Sequence, residues 1–176
     1  MPLIATLTSP RLWPLFAVAA ALALLGAAHA FEYFGHLTPC ELCLAQRNAD
    51  WTAAAVGLIG WLAYRKAPRG DRRSDQLIRL VSAALALVFL AAAGLGAYHA
   101  GVEWKWWPGP AACTGTGLGK VTLSDLAAFA KGAHYHVVRC DEAQWRMFGV
   151  SMAGYNAVIS LGLAGVSAMV ALSRRK

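Results

Sequence analysis

The stretch LVSAALALVFLAAAGLGAYHA, residues 80–100, contains no Asp, Glu, Lys or Arg over 21 consecutive positions. A helix needs about 20 apolar residues to cross the hydrocarbon core of a bilayer, so this stretch predicts a transmembrane helix. Three further apolar runs of similar length lie at 12–31, 44–64 and 147–172. The sequence therefore predicts an all-α membrane protein, an antiparallel bundle of four transmembrane helices in one domain, 1–176.

The composition supports a membrane protein over a soluble one. Hydrophobic residues make up 58% of the chain and charged residues only 14%, whereas about a quarter of the residues of a soluble domain are charged. A lipid bilayer is therefore the expected environment.

The distribution of charge predicts the orientation, because basic residues in short loops stay on the cytoplasmic side. Ten of the sixteen Lys and Arg residues lie on one side of the predicted spans, and seven of the nine acidic residues lie on the other. The ten are Arg11, Arg65, Lys66, Arg69, Arg72, Arg73, Arg79, Arg174, Arg175 and Lys176. Both termini are predicted to be cytoplasmic, with loops 32–43 and 101–146 outside. The net charge of +7 then reflects topology, and we expect no nucleic-acid partner.

Ala28-His29-Ala30 has the small-residue pattern of a signal-peptide cleavage site. The apolar run before it is longer than the 7–15 residues or so typical of a signal peptide, and bulky Phe31 follows it. We therefore expect the first span to be retained.

The chain has four cysteines, Cys40, Cys43, Cys113 and Cys140, and the predicted topology places all of them outside the cytoplasm. Disulfides persist in such compartments, and four cysteines allow three pairings. Both bridges could be structural. The spacing Cys40-Glu41-Leu42-Cys43 argues against that reading, because Cys-x-x-Cys pairs exchange readily instead of joining distant segments.

A Cys-x-x-Cys motif is also a common half of a four-thiolate zinc cluster. The second half is missing, because Cys113 and Cys140 are 27 positions apart. His134 and His136, which flank Tyr135, have no acidic or thiol partner set aside for them. We expect no metal site.

Cys43 begins the second predicted helix, and Arg47 follows it by four residues on the same face. A helix N-terminus and a nearby guanidinium both favour a thiolate. Alternatively, Arg47 could extend to the lipid headgroups or pair with Asp50. Oxidation of two thiols releases two electrons, and the sequence has no dinucleotide or haem motif to accept them. The position of Cys43 at bilayer level suggests a lipid-soluble quinone as the acceptor.

The motif Pro39-Cys40-Glu41-Leu42-Cys43-Leu44-Ala45-Gln46-Arg47, together with four spans and a cysteine pair in the long outer loop, resembles the DsbB family of bacterial disulfide-forming membrane proteins. The resemblance covers almost the whole chain. It also includes Tyr98-His99, Trp107-Pro108-Gly109-Pro110-Ala111-Ala112-Cys113, Cys140-Asp141-Glu142, Trp145 and Gly149-Val150-Ser151-Met152.

This resemblance implies that Cys113 and Cys140 exchange with a soluble periplasmic thioredoxin-like oxidase, DsbA, and that Cys113 forms the mixed disulfide. Electrons would then pass through a Cys40–Cys113 bond to Cys43, whose thiolate forms a charge-transfer complex with the quinone. The implied location is the bacterial inner membrane, with both redox loops periplasmic.

The same resemblance implies three residues that bind the quinone. Arg47 would hold the ring, His99 matches a position near it, and Met152 falls in a segment that lines the same cavity. The cofactor could be ubiquinone or menaquinone, because both present similar ring carbonyls.

Other features of the sequence predict packing. Small residues four apart, at Ala92, Gly96 and Ala100 and again at Ser160, Ala164 and Ala168, favour close helix contacts. Asn156 is expected to form a hydrogen bond between helices. Residues 122–131 predict a short amphipathic helix.

Two rival functions remain. A non-catalytic four-span protein could use its disulfides only to hold an outer loop that binds partners. A reductase of the vitamin K epoxide type also uses four cysteines, but its loop pair precedes the Cys-x-x-Cys motif, which is the reverse of the order here.

Overall fold

The computed structural model describes residues 9–66, 68, 71–110, 113 and 139–173. These residues form four long helices and one short β-hairpin. The helices are α1 (Trp13–Tyr33), α2 (Glu41–Arg65), α3 (Arg72–Glu103) and α4 (Met152–Leu172), and the hairpin consists of β1 (Arg146–Met147) and β2 (Val150–Ser151). The predicted helix at 122–131, His134 and His136 lie outside the described residues.

Three of these helices, α1, α3 and α4, are long and apolar enough to cross a membrane. Helix α2 has 25 residues, which is also sufficient length, but Arg47 and Asp50 interrupt its apolar sequence. The chain is thus a mostly helical membrane protein. Two of the polar residues of α2, Gln46 and Asp50, face the protein interior and are buried.

Contacts at the helix ends show that neighbouring helices run antiparallel. Gly57, near the end of α2, lies against Pro14 at the start of α1. Gly60 then lies against Val81 of α3. Arg79, near the start of α3, donates a 3.0 Å hydrogen bond to the carbonyl of Ala171 at the end of α4.

Helices α3 and α4 have the most extensive contact in the bundle. A Cβ atom at Gly96 would lie 2.9 Å from the Ala153 carbonyl oxygen and 2.9 Å from the Ala157 nitrogen. Only a residue without a side chain permits the two backbones to approach this closely. The expected close packing at Gly96 is therefore confirmed.

The fourth predicted span, 147–172, begins too early, because α4 starts at Met152 and a short hairpin precedes it. Arg146 pairs with Ser151, and Met147 pairs with Val150. The intervening Phe148 and Gly149 have φ values of 50° and 80°, which suits a two-residue hairpin turn. The Ser151 side chain then accepts a 3.3 Å hydrogen bond from the Gly154 N–H and caps α4.

Two other helices are longer than their predicted spans. Helix α3 was predicted at 80–100 and extends from Arg72 to Glu103. Helix α2 starts at Glu41, three residues before the predicted span at 44–64. These extra turns bring Glu103 and the Cys-x-x-Cys motif to the same end of the bundle.

Candidate functional site

Cys40 and Cys43 lie at the N-terminus of α2 with their sulfur atoms 2.9 Å apart. Cys40 is the N-cap residue, and its extended backbone (φ −83°, ψ 173°) directs its sulfur to the Cys43 N–H, which donates to it at 3.3 Å. The helix thus begins with a sulfur atom in the position usually taken by a Ser or Asp oxygen. Both thiols are free.

The two thiols differ in their surroundings. Cys40 is buried, whereas Cys43 is partly exposed. The hydrogen bond with Cys43 and the burial of the side chain both raise the pKa of the Cys40 thiol. When the pair loses one proton, the remaining proton therefore stays on Cys40, and Cys43 carries the nucleophilic sulfur.

Cys113 and Cys140 form a disulfide with their Cα atoms 5.2 Å apart. The Cys140 N–H also donates a 3.0 Å hydrogen bond to the Cys113 carbonyl. Both residues are fully buried and pack with Cys40 in one cluster. The disulfide and the first thiol of the Cys-x-x-Cys motif are therefore in contact, although they are distant in sequence.

Salt bridges and a hydrogen bond hold the end of the long loop in place. Asp141, next to Cys140, accepts hydrogen bonds from Arg139 and Lys105, and these hold the pKa of its carboxyl far below the usual range. The Gln144 amide donates a 2.9 Å hydrogen bond to the Thr38 carbonyl. The end of the loop is thereby attached to the segment that directly follows α3 and to the short loop that contains Cys40.

Arg47 is held by α1 and not by Asp50. Its guanidinium forms a 2.5 Å salt bridge with Glu32 and a 3.2 Å hydrogen bond with the Ala28 carbonyl. The suggested pairing with Asp50 is wrong, because Asp50 Oδ1 is buried and accepts no hydrogen bond from the described residues. Two of the five N–H groups of Arg47 are used in these contacts, so donors remain for a ligand.

A chain of buried and partly buried hydrogen bonds connects α4, α2 and α3. Asn156 Nδ2 donates to Gln46 Oε1 at 2.7 Å, and Gln46 Nε2 donates to His99 Nδ1 at 2.8 Å. Ser160 Oγ donates to Asn156 Oδ1 at 3.2 Å. The expected hydrogen bond of Asn156 between helices is thus confirmed, and we call these four residues the polar relay.

The polar relay determines which way His99 faces. Because Nδ1 accepts from Gln46, the ring proton lies on Nε2. Nε2 is 3.6 Å from Cys40 Sγ and 3.7 Å from Glu103 Oε1. His99 therefore contacts the buried thiol of the pair, together with a buried carboxylate.

All five residues suggested for the membrane-side chemistry line one cavity of about 270 Å³; they are Cys40, Cys43, Arg47, His99 and Met152. The rest of its wall is mainly apolar and includes Leu24, Phe31 and Ile159. Cys113 and Cys140 are not among its lining residues and lie behind Cys40. The cavity thus combines an apolar wall with thiol, guanidinium and imidazole groups, which suits a flat apolar ligand with polar ring atoms.

Three residues whose side chains contact the predicted site residues were not identified from the sequence: Glu32, Gln46 and Glu103. Glu103 follows His99 by four residues, and this helical spacing could have indicated the contact. Glu32 and Gln46 give no such signal, because their partners lie on other helices.

The family model for disulfide bond formation protein DsbB matches residues 10–170, which is nearly the whole chain. No curated protein and no solved structure matches the sequence. The match includes every residue of the cavity and both cysteine pairs. The chain therefore belongs to the DsbB family of disulfide-forming membrane proteins.

Proposed function

We propose that this protein oxidises the dithiol of a periplasmic thioredoxin-like partner of the DsbA type and passes the two electrons to a membrane quinone. The observation that carries the proposal is the position of Cys40. It packs against the Cys113–Cys140 disulfide on one side and lines the cavity with Arg47 and His99 on the other.

The protein-facing half of the reaction is thiol–disulfide exchange. One partner thiolate attacks Cys113, which forms a mixed disulfide and releases Cys140. The partner's second thiolate then attacks that mixed disulfide and releases Cys113, which leaves the partner oxidised and both cysteines reduced. A Cys40–Cys43 disulfide then reoxidises them, and a transient Cys40–Cys113 bond is the intermediate. The contact between Cys40 and the disulfide supports this step, because exchange requires the sulfur atoms to approach each other directly.

The membrane-facing half returns Cys40 and Cys43 to a disulfide. A quinone, either ubiquinone or menaquinone, supplies the acceptor for two electrons and two protons. Arg47 would hold its ring and favour the Cys43 thiolate, while Met152 and the apolar wall would contact the ring and tail. His99 would donate its Nε2–H to the Cys40 sulfur, 3.6 Å away, and so stabilise the negative charge that forms when Cys40 loses its proton.

The topology belongs to the same proposal. We place all four helices across the bacterial inner membrane, with both termini cytoplasmic and loops 32–43 and 101–146 periplasmic. The positions of the basic residues support this orientation. The pairing of Arg47 with Glu32 and the burial of Gln46 and Asp50 support α2 as the fourth span, because polar groups in a membrane helix face the bundle interior.

The test uses the purified protein with reduced DsbA-type partner and a soluble ubiquinone analogue. We expect partner disulfide and quinol to form in equal amounts. Cys43→Ser should abolish both products, whereas Ser173→Ala, at the opposite end of the bundle, should leave turnover unchanged. Normal turnover by Cys43→Ser would show that the mechanism is wrong.

A second variant separates the two halves of the reaction. The double substitution Cys113→Ser and Cys140→Ser should stop oxidation of the partner but still allow quinone reduction by dithiothreitol through Cys40 and Cys43. If the chain were a non-catalytic protein with a stapled loop, neither the wild type nor this variant would reduce the quinone.

A further inference from the structure

The buried end of the cavity has the composition of a metal-binding site. Cys40 Sγ, Cys43 Sγ and a ring nitrogen of His99 all lie within 4.8 Å of one another. Cys-x-x-Cys with one histidine is a frequent ligand set for zinc. The sequence argues against a zinc cluster of four thiolates. The ligand set here is different, because the fold adds a histidine from α3 to the two cysteines.

Glu103 provides a fourth donor next to the same group. Its Oε1 is 3.7 Å from His99 Nε2. It also lies near Ser151, but its Oε2 is buried and accepts no hydrogen bond from the described residues. A buried carboxylate oxygen without a donor is costly, and a bound cation would remove that cost.

We propose that the reduced Cys40–Cys43 pair, together with His99 and Glu103, binds a thiophilic divalent cation such as Zn²⁺. Thiolate and imidazole ligands select Zn²⁺ and Co²⁺ over Mg²⁺ and Ca²⁺. Binding displaces the protons of both thiols and changes no oxidation state. The bound cation occupies both sulfur atoms, so it blocks their oxidation and acts as a reversible inhibitor.

Cys40, Cys43 and His99 require only small adjustments, whereas Glu103, which lies outside their 4.8 Å group, must move closer to the sulfur atoms. Zn–S bonds of about 2.3 Å at tetrahedral angles separate the sulfurs by about 3.8 Å, compared with 2.9 Å here, and rotation of the partly exposed Cys43 side chain supplies the difference. His99 must ligate through Nε2, which moves its proton to Nδ1. The polar relay accommodates this change, because the amides of Gln46 and Asn156 can both turn over and Ser160 can accept instead of donate.

The test uses the full chain with Cys113→Ser and Cys140→Ser, so that Cys40 and Cys43 are its only thiols. The reduced protein is titrated with Co²⁺ and followed by absorption. We expect one Co²⁺ per chain, a thiolate-to-cobalt charge-transfer band, the visible bands of a tetrahedral site, and displacement by Zn²⁺. The oxidised protein should show none of these.

Substitutions identify the other two ligands. His99→Ala and Glu103→Gln should each weaken Co²⁺ binding by about tenfold or more, since even the loss of an outer partner costs about 10- to 100-fold in affinity. The control is His29→Ala, which removes a histidine that contacts Glu32 outside this group. Unchanged binding by His99→Ala, or an absent thiolate band, would overturn the proposal, and unchanged binding by Glu103→Gln would overturn the four-ligand site.

A further measurement does not depend on whether the His99→Ala and Glu103→Gln variants fold. In the same reduced double-serine chain, Zn²⁺ should protect Cys40 and Cys43 from a maleimide, whereas Mg²⁺ should not. Equal labelling with and without Zn²⁺ would contradict the site. Neither readout requires turnover, so the cation site and the proposed oxidase activity can fail separately.

Discussion

Arg47 of α2 and Glu32 of α1 form a 2.5 Å salt bridge beside the cavity, and the Ala28 carbonyl receives a second hydrogen bond from the same guanidinium. The side chain of Arg47 is only 13% exposed. Its position is therefore determined by α1, which carries none of the cysteines. An acidic residue on a neighbouring helix thus orients the cation that the proposed quinone would contact.

Removal of that acidic residue should weaken quinone binding. In Glu32→Ala, Arg47 loses its partner and can turn towards solvent, so we expect the KM for quinone to rise by about tenfold, equivalent to about 1.4 kcal/mol, with a smaller change in kcat. Steady-state kinetics with a soluble quinone would measure both. Glu41→Gln, on the exposed side of the first turn of α2, should leave the KM unchanged. A KM equal to that of the wild type in Glu32→Ala would contradict a positioning role.

Breaking the polar relay should reduce stability. Asn156→Leu leaves the buried Gln46 oxygen without its 2.7 Å donor, and an unpaired buried polar group costs about 1–3 kcal/mol. Thermal unfolding in detergent would measure the loss. Ser160→Ala removes only the last member of the relay and should cost less than Asn156→Leu. Equal stability of Asn156→Leu and the wild type would show that the relay contributes little.

Two glycines on α3 should respond differently to alanine. A Cβ at Gly96 would lie 2.9 Å from the Ala153 oxygen, so Gly96→Ala must separate α3 from α4, and overpacking of this kind costs about 1–3 kcal/mol. A Cβ at Gly94 meets no atom within 4 Å. Gly94→Ala should be neutral or stabilising by up to about 1 kcal/mol, because glycine is unfavourable inside a helix. Equal unfolding temperatures of the two variants would contradict the close approach.

Asp141 should stabilise the loop over most of the pH range. The pKa of its carboxyl is lowered mainly by the hydrogen bond from Arg139, followed by that from Lys105. A lowered pKa means that the stabilisation is complete above the carboxyl's ordinary value, near pH 4, and is lost only as the pH falls below it. Asp141→Asn should therefore lower the unfolding temperature by the same amount at pH 5 and at pH 8.

The difference between wild type and Asp141→Asn should narrow only in strongly acidic solution. Glu142→Gln is the control, because this exposed carboxylate lies 3.5 Å from Arg139 and should contribute less. A difference that disappears between about pH 5 and 8 would contradict the direction of the shift.

The sequence predicted the features that depend on residues close to one another along the chain. Apolar runs located the four helices, and the Cys-x-x-Cys spacing located the reactive pair, because both are local patterns. The contacts of Arg47 and His99 could not be predicted in the same way. Their partners, Glu32 and Gln46, lie on other helices, and only packing brings them together. The hairpin at Arg146–Ser151 was missed because its few apolar residues continue the pattern of the following helix.

The hydrogen bond from the Cys43 N–H to Cys40 Sγ couples the start of α2 to the oxidation state of Cys40. A Cys40 sulfur that has lost its proton carries a negative charge and is a stronger acceptor than a disulfide sulfur. We therefore expect the first turn of α2 to be held more tightly when Cys40 is a thiolate than when it has joined a disulfide. The coupling is reciprocal, so any contact that loosens this turn makes the dithiol easier to oxidise. The backbone of α2 therefore influences the equilibrium between the dithiol and the disulfide.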